Sequence, residues 1–255
     1  MVAVVTGASD GIGMEMAKIL GGLGFDLVLA ARREKELTQL AYAIEKKFPV
    51  KAEIFVCDLT DEEECVRLHE FCEGKDVQVF INNAGRGVIG EFTKTDEAAE
   101  LAMLKLNVVS AHLLFKRFAS SMESGFILNV ASMAAFQETP LMSAYGATKA
   151  YMYHLSSSAG YEMKKSGSGV RVATLCPGSV STGFDRAAGV PHPLRGMSAR
   201  ECAEIALYQM FRGKDLIIPG WKEKAARAAV RLIPRKIVLP IEYRIQGKKL
   251  GDRAL

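Results

Sequence analysis

The sequence predicts a doubly wound α/β fold, an open parallel sheet of about seven strands with helices on both faces. Three observations predict it. Short β-rich apolar runs alternate with longer helix-like segments along most of the chain, the pattern of strands joined by crossover helices. Several runs are apolar at successive positions, as strands covered on both sides require. A glycine-rich turn follows the first run and opens the first helical segment. The chain has 255 residues, 49% of them hydrophobic, with a mean hydropathy of +0.10. That is enough to bury a large core and excludes disorder as the general state.

Taken in order, the strands are expected at 2–6, 26–31, 52–57, 77–82, 126–131, 170–175 and 216–219. Helical periodicity lies between them at 12–23, 34–48, 61–73, 97–122, 144–165 and 199–212. The last begins with Ser198 as N-cap and Glu201 three residues on, a capping box. With no internal repeat and no low-complexity linker, one domain over 1–255 is expected, carrying a basic amphipathic extension at about 221–255.

Composition narrows the function classes. Five cysteines (Cys57, Cys65, Cys72, Cys176, Cys202) form an odd set without CxxC spacing, which fits buried thiols in a reducing, cytoplasmic setting. The four histidines show no metal-ligand spacing, so no metal is expected; His112 and His154 read as core or interface residues. No run of about 18 uncharged apolar residues suggests a membrane span, and Val2-Ala3-Val4-Val5 reads as a strand and not as a secretory leader. The net charge is +4, but from Gly220 onward ten basic residues face three acids, a local +7 that leaves −3 for the rest. Basic character confined to a tail argues against nucleic acid as the partner of the fold.

The turn Thr6-Gly7-Ala8-Ser9-Asp10-Gly11-Ile12-Gly13 sits between the first strand and first helix. There, backbone amides and a helix N-terminus favour a pyrophosphate, which makes the fold Rossmann-type. At the end of the second strand a carboxylate would accept from the ribose hydroxyls of NAD. The chain instead has Ala31 followed by Arg32 and Arg33. A guanidinium grips and neutralises a 2′-phosphate, so NADP is the expected cofactor.

Tyr145 and Lys149 are four apart in a helical segment, which puts them on one face. A phenol titrates near pH 10; a neighbouring ammonium and an oxidised nicotinamide stabilise the phenolate. Bringing it to neutrality corresponds to roughly 4 kcal/mol, and the phenol then serves as a general acid/base. Ser132 follows the strand at 126–131, where its hydroxyl can face the crevice at the strands' carboxyl ends and stabilise charge on a substrate oxygen; otherwise it is a turn residue capping the strand. Asn107 interrupts the apolar segment Leu104-Lys105-Leu106-Asn107-Val108-Val109; a buried Asn needs partners, and a locally satisfied kink is the alternative.

These residues, with Asp58-Leu59, Asn82-Asn83-Ala84-Gly85 and Pro177-Gly178-Ser179-Val180-Ser181-Thr182, resemble the short-chain dehydrogenase/reductase family over residues 2 to about 219. The GxxxGxG spacing after Thr6 is that family's variant of the dinucleotide loop. The resemblance implies Tyr145 as general acid/base, with Lys149 lowering its pKa and binding the nicotinamide ribose. It implies Ser132 as the orienter of substrate and Asn107 as the holder of a water linking Lys149 to solvent. Gly7, Ser9, Asp10, Gly11, Ile12 and Gly13 would form the phosphate loop. Asp58 and Leu59 would meet the adenine, and Asn83, Ala84 and Gly85 the adjoining ribose region. Pro177, Gly178, Val180 and Thr182 would embrace the carboxamide end of the nicotinamide. A homodimer or homotetramer through the helices bearing Asn107 and Tyr145 is implied as well.

Phe136, Gln137, Met142, Phe184 and the segment 185–196 are expected to shape the substrate pocket, which suits a hydrophobic carbonyl or alcohol. Phe136 and Met142 read equally well as core. The expected activity is hydride transfer on such a substrate. The alternative is a non-catalytic NADP-binding redox sensor or scaffold, which has no need of all four of Asn107, Ser132, Tyr145 and Lys149. In the tail, Lys224, Arg227 and Arg231 recur at helical spacing over 223–233; Pro234 is expected to end that helix and Pro240 to break the run 237–241. Such a helix docks on its own domain, covers the pocket, meets a second subunit or lies peripherally on an anionic membrane.

Overall fold

The computed structural model describes residues 1–193, 196–230 and 232–251, without the side chains of Asp185 and Ala187. Arg231, Asp252 and Arg253 of the tail, and part of the segment 185–196, lie outside the described residues. The chain runs β1 (Val2–Thr6), α1 (Gly11–Gly22), β2 (Asp26–Ala31), α2 (Glu34–Lys47), β3 (Ala52–Val56), α3 (Glu62–Phe71), β4 (Val77–Asn82) and α4 (Glu97–Leu104). A π-helical segment (Lys105–Ser110) leads into α5 (Ala111–Ser121), β5 (Ser124–Val130), a 3₁₀ turn (Met133–Ala135), α6 (Ser143–Lys165) and β6 (Gly169–Leu175). The chain closes with β7 (Val180–Ser181), α7 (Phe184–Ala187), β8 (Met197–Ser198), α8 (Ala199–Phe211), β9 (Leu216–Ile217), α9 (Trp221–Val230) and α10 (Arg235–Leu250).

Seven strands form one parallel sheet in the order β3-β2-β1-β4-β5-β6-β9, and β7 pairs with β8 in a small parallel ribbon. Successive strand residues serve opposite layers, which explains the continuous apolar runs. Ala3, Val5, Leu27 and Leu29 pack under α1, α2 and α8. Val4, Val28, Ala30 and Phe80 pack under α3, α5 and α6. Strand order reverses between β1 and β4, so the chain leaves their carboxyl ends in opposite directions and opens a crevice there.

The structure departs from the sequence expectations at three places. The helix expected at 97–122 is helical throughout, but its centre is the π segment, and Asn107 sits within it. The unbroken stretch Glu97–Ser121 is long and apolar enough to cross a membrane by length and composition. Its inner side packs on the sheet through Leu114, Phe115 and Phe118. Pro240 does not break the tail: α10 runs through it. Proline there removes the one bond its N–H would have given the Lys236 carbonyl, on an exposed part of the helix where water can take the carbonyl. Val238, Gln246 and Gly247 bury the other side of α10, and Arg235 pairs with Glu138 at 2.6 Å near its start.

Candidate active site

The crevice at the switch point is the mouth of a cavity of about 750 Å³. It is lined at one end by Gly7, Ser9, Asp10, Gly11, Ile12, Ala31, Arg32 and Arg33, and at the other by Ser132, Met142, Tyr145 and Phe184. The loop after β1 turns tightly because Gly7 and Gly11 take left-handed φ of 66° and 57°. Gly13 lies beneath the loop and not on the cavity: a Cβ there would stand 2.5 Å from Asn83 Nδ2 and 2.6 Å from the Gly7 carbonyl oxygen. Thr6 binds the loop to β4, its hydroxyl accepting from the backbone N–H groups of Asn83 (2.9 Å) and Ala84 (3.0 Å). Asn83 Nδ2 donates back to the Thr6 carbonyl at 2.9 Å. Asn83 therefore spends its side chain holding β1 to β4.

Asp10 caps α1, accepting from Gly11 N–H, and lies 3.7 Å from Arg33. Arg33 also donates to the Ser9 hydroxyl and carbonyl at 3.0–3.2 Å, which fastens β2's end across the loop. Arg32 is more exposed and stands 3.8 Å from Asp58. Burial pushes the Asp58 carboxyl up, but bonds from Thr60 and then the charges of Arg32 and Arg86 hold it below its ordinary value. Leu59 is buried beside it, and both line the cavity with Ala84 and Gly85.

Tyr145 and Lys149 share one face of α6, with Lys149 Nζ 5.9 Å from the tyrosine ring centroid. Both are largely buried, and Phe184 lies against the tyrosine ring at 5.5 Å. Lys149 donates to the Val130 carbonyl at 2.9 Å, and burial lowers its pKa to about 8, with Cys176 working the other way. Ser132 both caps and faces the cavity: its hydroxyl accepts from Ala134 N–H at 3.2 Å, so the two readings of it coincide. Just before α6, Leu141 holds a left-handed φ of 64°, the only such non-glycine among the described residues; the segment it strains leads into the helix bearing Tyr145.

Asn107 does not line the cavity. It is buried, accepting from Arg86 N–H at 3.0 Å and donating to the Arg86 carbonyl (2.8 Å) and the Thr148 hydroxyl (3.1 Å). It thus joins the loop after β4 to α6, next to Lys149. The position where a Gly85 Cβ would sit is 3.2 Å from Asn107 Oδ1 and 3.3 Å from Lys149 Nζ.

Pro177, Gly178, Val180 and Thr182 line the same cavity, and Thr182 caps the following turn through Phe184 N–H. Gln137, Met142 and Phe184 line it as expected, whereas Phe136 packs against Tyr153 and under the Arg227 guanidinium instead. The five cysteines are buried and free; among the described residues no group of His, Cys, Asp or Glu could hold a metal ion.

Of the placements left open for the tail helix, the structure takes the one over the pocket, but the residues that line the cavity from the tail were not singled out in the sequence. Lys222, Glu223 and Ala226 of α9 and Glu242, Ile245, Gln246 and Lys249 of α10 line it. Glu223 reaches Gly178 so closely that a Cβ there would be 3.0 Å from its carboxylate. Gln137 donates through Nε2 to Glu242, and Gln246 Nε2 donates to the same carboxylate at 3.4 Å. The available signal was Glu242 itself, an acid on the second turn of a helix in a tail with only three acids among ten bases.

Comparison with known proteins finds relatives of the same fold. An uncharacterized oxidoreductase of Staphylococcus saprophyticus is 32% identical over 223 residues, covering 82% of this chain and 90% of that one. A very-long-chain 3-oxoacyl-CoA reductase of Neurospora crassa is 35% identical over 178 residues, but the match takes in 65% of this chain and only 52% of that longer protein. Among solved structures, a short-chain dehydrogenase from Sphingobium yanoikuyae in complex with NADPH is 28% identical and superposes with a TM-score of 0.79 over 92% of this chain and 96% of its own. The family profile for short chain dehydrogenases matches residues 1–190. This chain belongs to the short-chain dehydrogenase family.

Proposed function

We propose that this chain is an NADP(H)-dependent oxidoreductase that transfers a hydride between the nicotinamide and a hydrophobic carbonyl or alcohol. The observation that carries the reading is that Ser132, Tyr145 and Lys149 line the same cavity as the glycine loop and Arg32. The residues fit a dinucleotide: the cavity begins at the amino end of α1, where the tight turn at Gly7 and Gly11 keeps side chains out of the way. The bound cofactor supplies or takes up the hydride.

The chain's own residues do the rest. Gly7, Ser9, Asp10, Gly11 and Ile12 meet the pyrophosphate, with Gly13 packing the turn from below. Arg32, exposed and weakly held, receives the 2′-phosphate, and Arg33 braces the loop at Ser9. Asp58 and Leu59 flank the adenine, while Ala84 and Gly85, positioned by Asn83, line the ribose region. Pro177, Gly178, Val180 and Thr182 hold the carboxamide end. Ser132 binds the substrate oxygen, and Tyr145 gives it a proton in reduction or removes one in oxidation. Lys149, a cation below pH about 8, favours the phenolate by its charge. Asn107 fixes the segment on which Lys149 depends. The gap that Gly85 leaves between Asn107 Oδ1 and Lys149 Nζ supports a water relay from the lysine.

Tyr145→Phe tests the reading. Turnover should fall by about 10²–10⁴-fold, the worth of a positioned acid/base, with cofactor affinity retained. Unchanged turnover would favour a sensor or scaffold.

The reading extends to the tail, to assembly and to place in the cell. Ile237 and Ile241 are exposed on the outer side of α10, beside the exposed Arg244 and Lys248, whereas Ile245 lines the cavity. This pairing of apolar and cationic rows supports peripheral contact with an anionic lipid surface, since a second copy would oppose like charge. Exposed Leu101, Val109 and Tyr151 on α4, the π segment and α6 support pairing of two chains at that separate face. Buried free thiols support a reducing, cytoplasmic setting.

A further inference from the structure

One row of α10 leads from the outside of the tail to the cavity. Ile237, Ile241 and Ile245 follow one another at four-residue spacing and are 52%, 47% and 37% exposed, and the third lines the cavity. Four residues advance an α-helix by about 6 Å and turn it by about 40°. The row therefore runs about 12 Å along α10 and winds about 80° around it. Its start lies on the open side of the helix and its end at the cavity wall.

Residues that line the cavity and are also exposed mark where it reaches the surface. In the tail they are Ile245 of α10 and Lys222 and Ala226 of α9, so the cavity opens between the two helices. Trp221, next to Lys222, and Leu232, in the turn between the helices, are both strongly exposed. Lys222 and Lys224 of α9 and Lys236, Arg244 and Lys248 of α10 are exposed too, in a tail where ten bases face three acids. Exposed apolar groups among cations complement an anionic bilayer, whose headgroups meet the charges while its acyl region meets the apolar side chains. A solute moving from acyl chains along isoleucine to the cavity keeps apolar contact throughout, whereas a route through water exposes its whole chain.

We propose that Ile237, Ile241 and Ile245 form an entry track along which the substrate passes from an anionic bilayer into the cavity. The proposal rests on the oxidoreductase reading and on the lipid contact. It narrows the substrate to a carbonyl compound or alcohol apolar enough to reside in the membrane.

The test uses the NADPH-loaded protein with two methyl ketones, one short and water-soluble, the other long-chained and held in anionic vesicles. The long ketone is chosen so that its measured spontaneous transfer between vesicles is slower than turnover of the soluble one. That transfer limits any enzyme fed from water. Bound to the vesicles at low salt, the wild type should reduce the long ketone faster than it transfers. Lipid is then raised until Ile237→Gln and Ile241→Gln are each fully bound. Each should reduce the long ketone about tenfold more slowly, the factor that about 1.4 kcal/mol gives, and the soluble ketone at the wild-type rate. A bound wild type held to the transfer rate, or variants that keep the wild-type rate on the long ketone, overturns the track. Failure of the wild type to bind vesicles overturns it together with the lipid contact. Uptake of a fluorescent long-chain ketone by cofactor-loaded Tyr145→Phe faster than spontaneous transfer, with neither ketone reduced by the wild type, would sink the oxidoreductase reading and leave the track standing.

Discussion

Lys149 gives the most direct physical test of the site. Burial lowers its pKa from 10.5 to about 8, so the cation is held in the native state at a cost. Between those two values the unfolded chain keeps a proton that the native chain has released, and native stability therefore rises with pH. Integrated from pH 7 to pH 10, the gain is about 2–3 kcal/mol, nearly all of it above pH 8. Lys149→Met removes the titration while filling much the same volume. The bond to the Val130 carbonyl is lost in the variant at every pH and drops out of the trend. The assay is urea unfolding of cofactor-free wild type and variant across that range, with the difference in unfolding free energy plotted against pH. Wild type should gain on the variant by about 2–3 kcal/mol. A flat difference would mean that the ammonium is solvated, and a falling one that an unrecognised anion holds it; either refutes the account of the buried lysine.

Other outcomes are expected from single changes. Gly13→Ala should lower stability by about 1–3 kcal/mol by thermal or urea unfolding, because its methyl meets the Gly7 carbonyl and the Asn83 amide and backbone cannot easily yield. It should weaken cofactor binding with it. Arg32→Ala should raise the KM for NADPH about tenfold or more, the worth of a charge-assisted phosphate contact, and leave that for NADH little changed; equal effects on both would show that Arg32 does not read the 2′-phosphate. Co-sedimentation with anionic vesicles at low salt should be lost in Ile237→Asp/Ile241→Asp, while neutral vesicles should not retain the wild type; wild type that ignores anionic vesicles removes the lipid proposal.

The sheet was legible because each strand's apolar run serves two layers, and all seven strands start and end within two residues of their expected limits for that reason. The Tyr145–Lys149 pair was legible from its four-residue spacing together with Ser132 and the glycine loop, since such a spacing alone is common on surface helices. The π segment was not, since Leu104 to Val109 has the composition of an ordinary helix; what distorts it is a tertiary demand, Asn107 reaching Arg86 and Thr148. The passage of α10 through Pro240 was hidden likewise, because anchoring by Val238, Glu242 and Gln246 outweighs one lost hydrogen bond. The polar inner wall was the deepest omission. Isoleucines at 237, 241 and 245 do not say which side of the helix is covered, and only the packing shows Ile237 and Ile241 outside and Ile245 at the cavity.

The two faces of α10 have a consequence for control. The sixteen residues of α10 form the ceiling of the cavity on one side and an outer surface on the other. Whatever settles on the outside biases the same rigid rod that frames the inside. Any effect of such a contact on substrate affinity must be matched by an equal effect of substrate on the contact, because the two share one free-energy cycle. A filled site and an engaged surface are then two readings of one equilibrium, and a change measured at either face reports on the other.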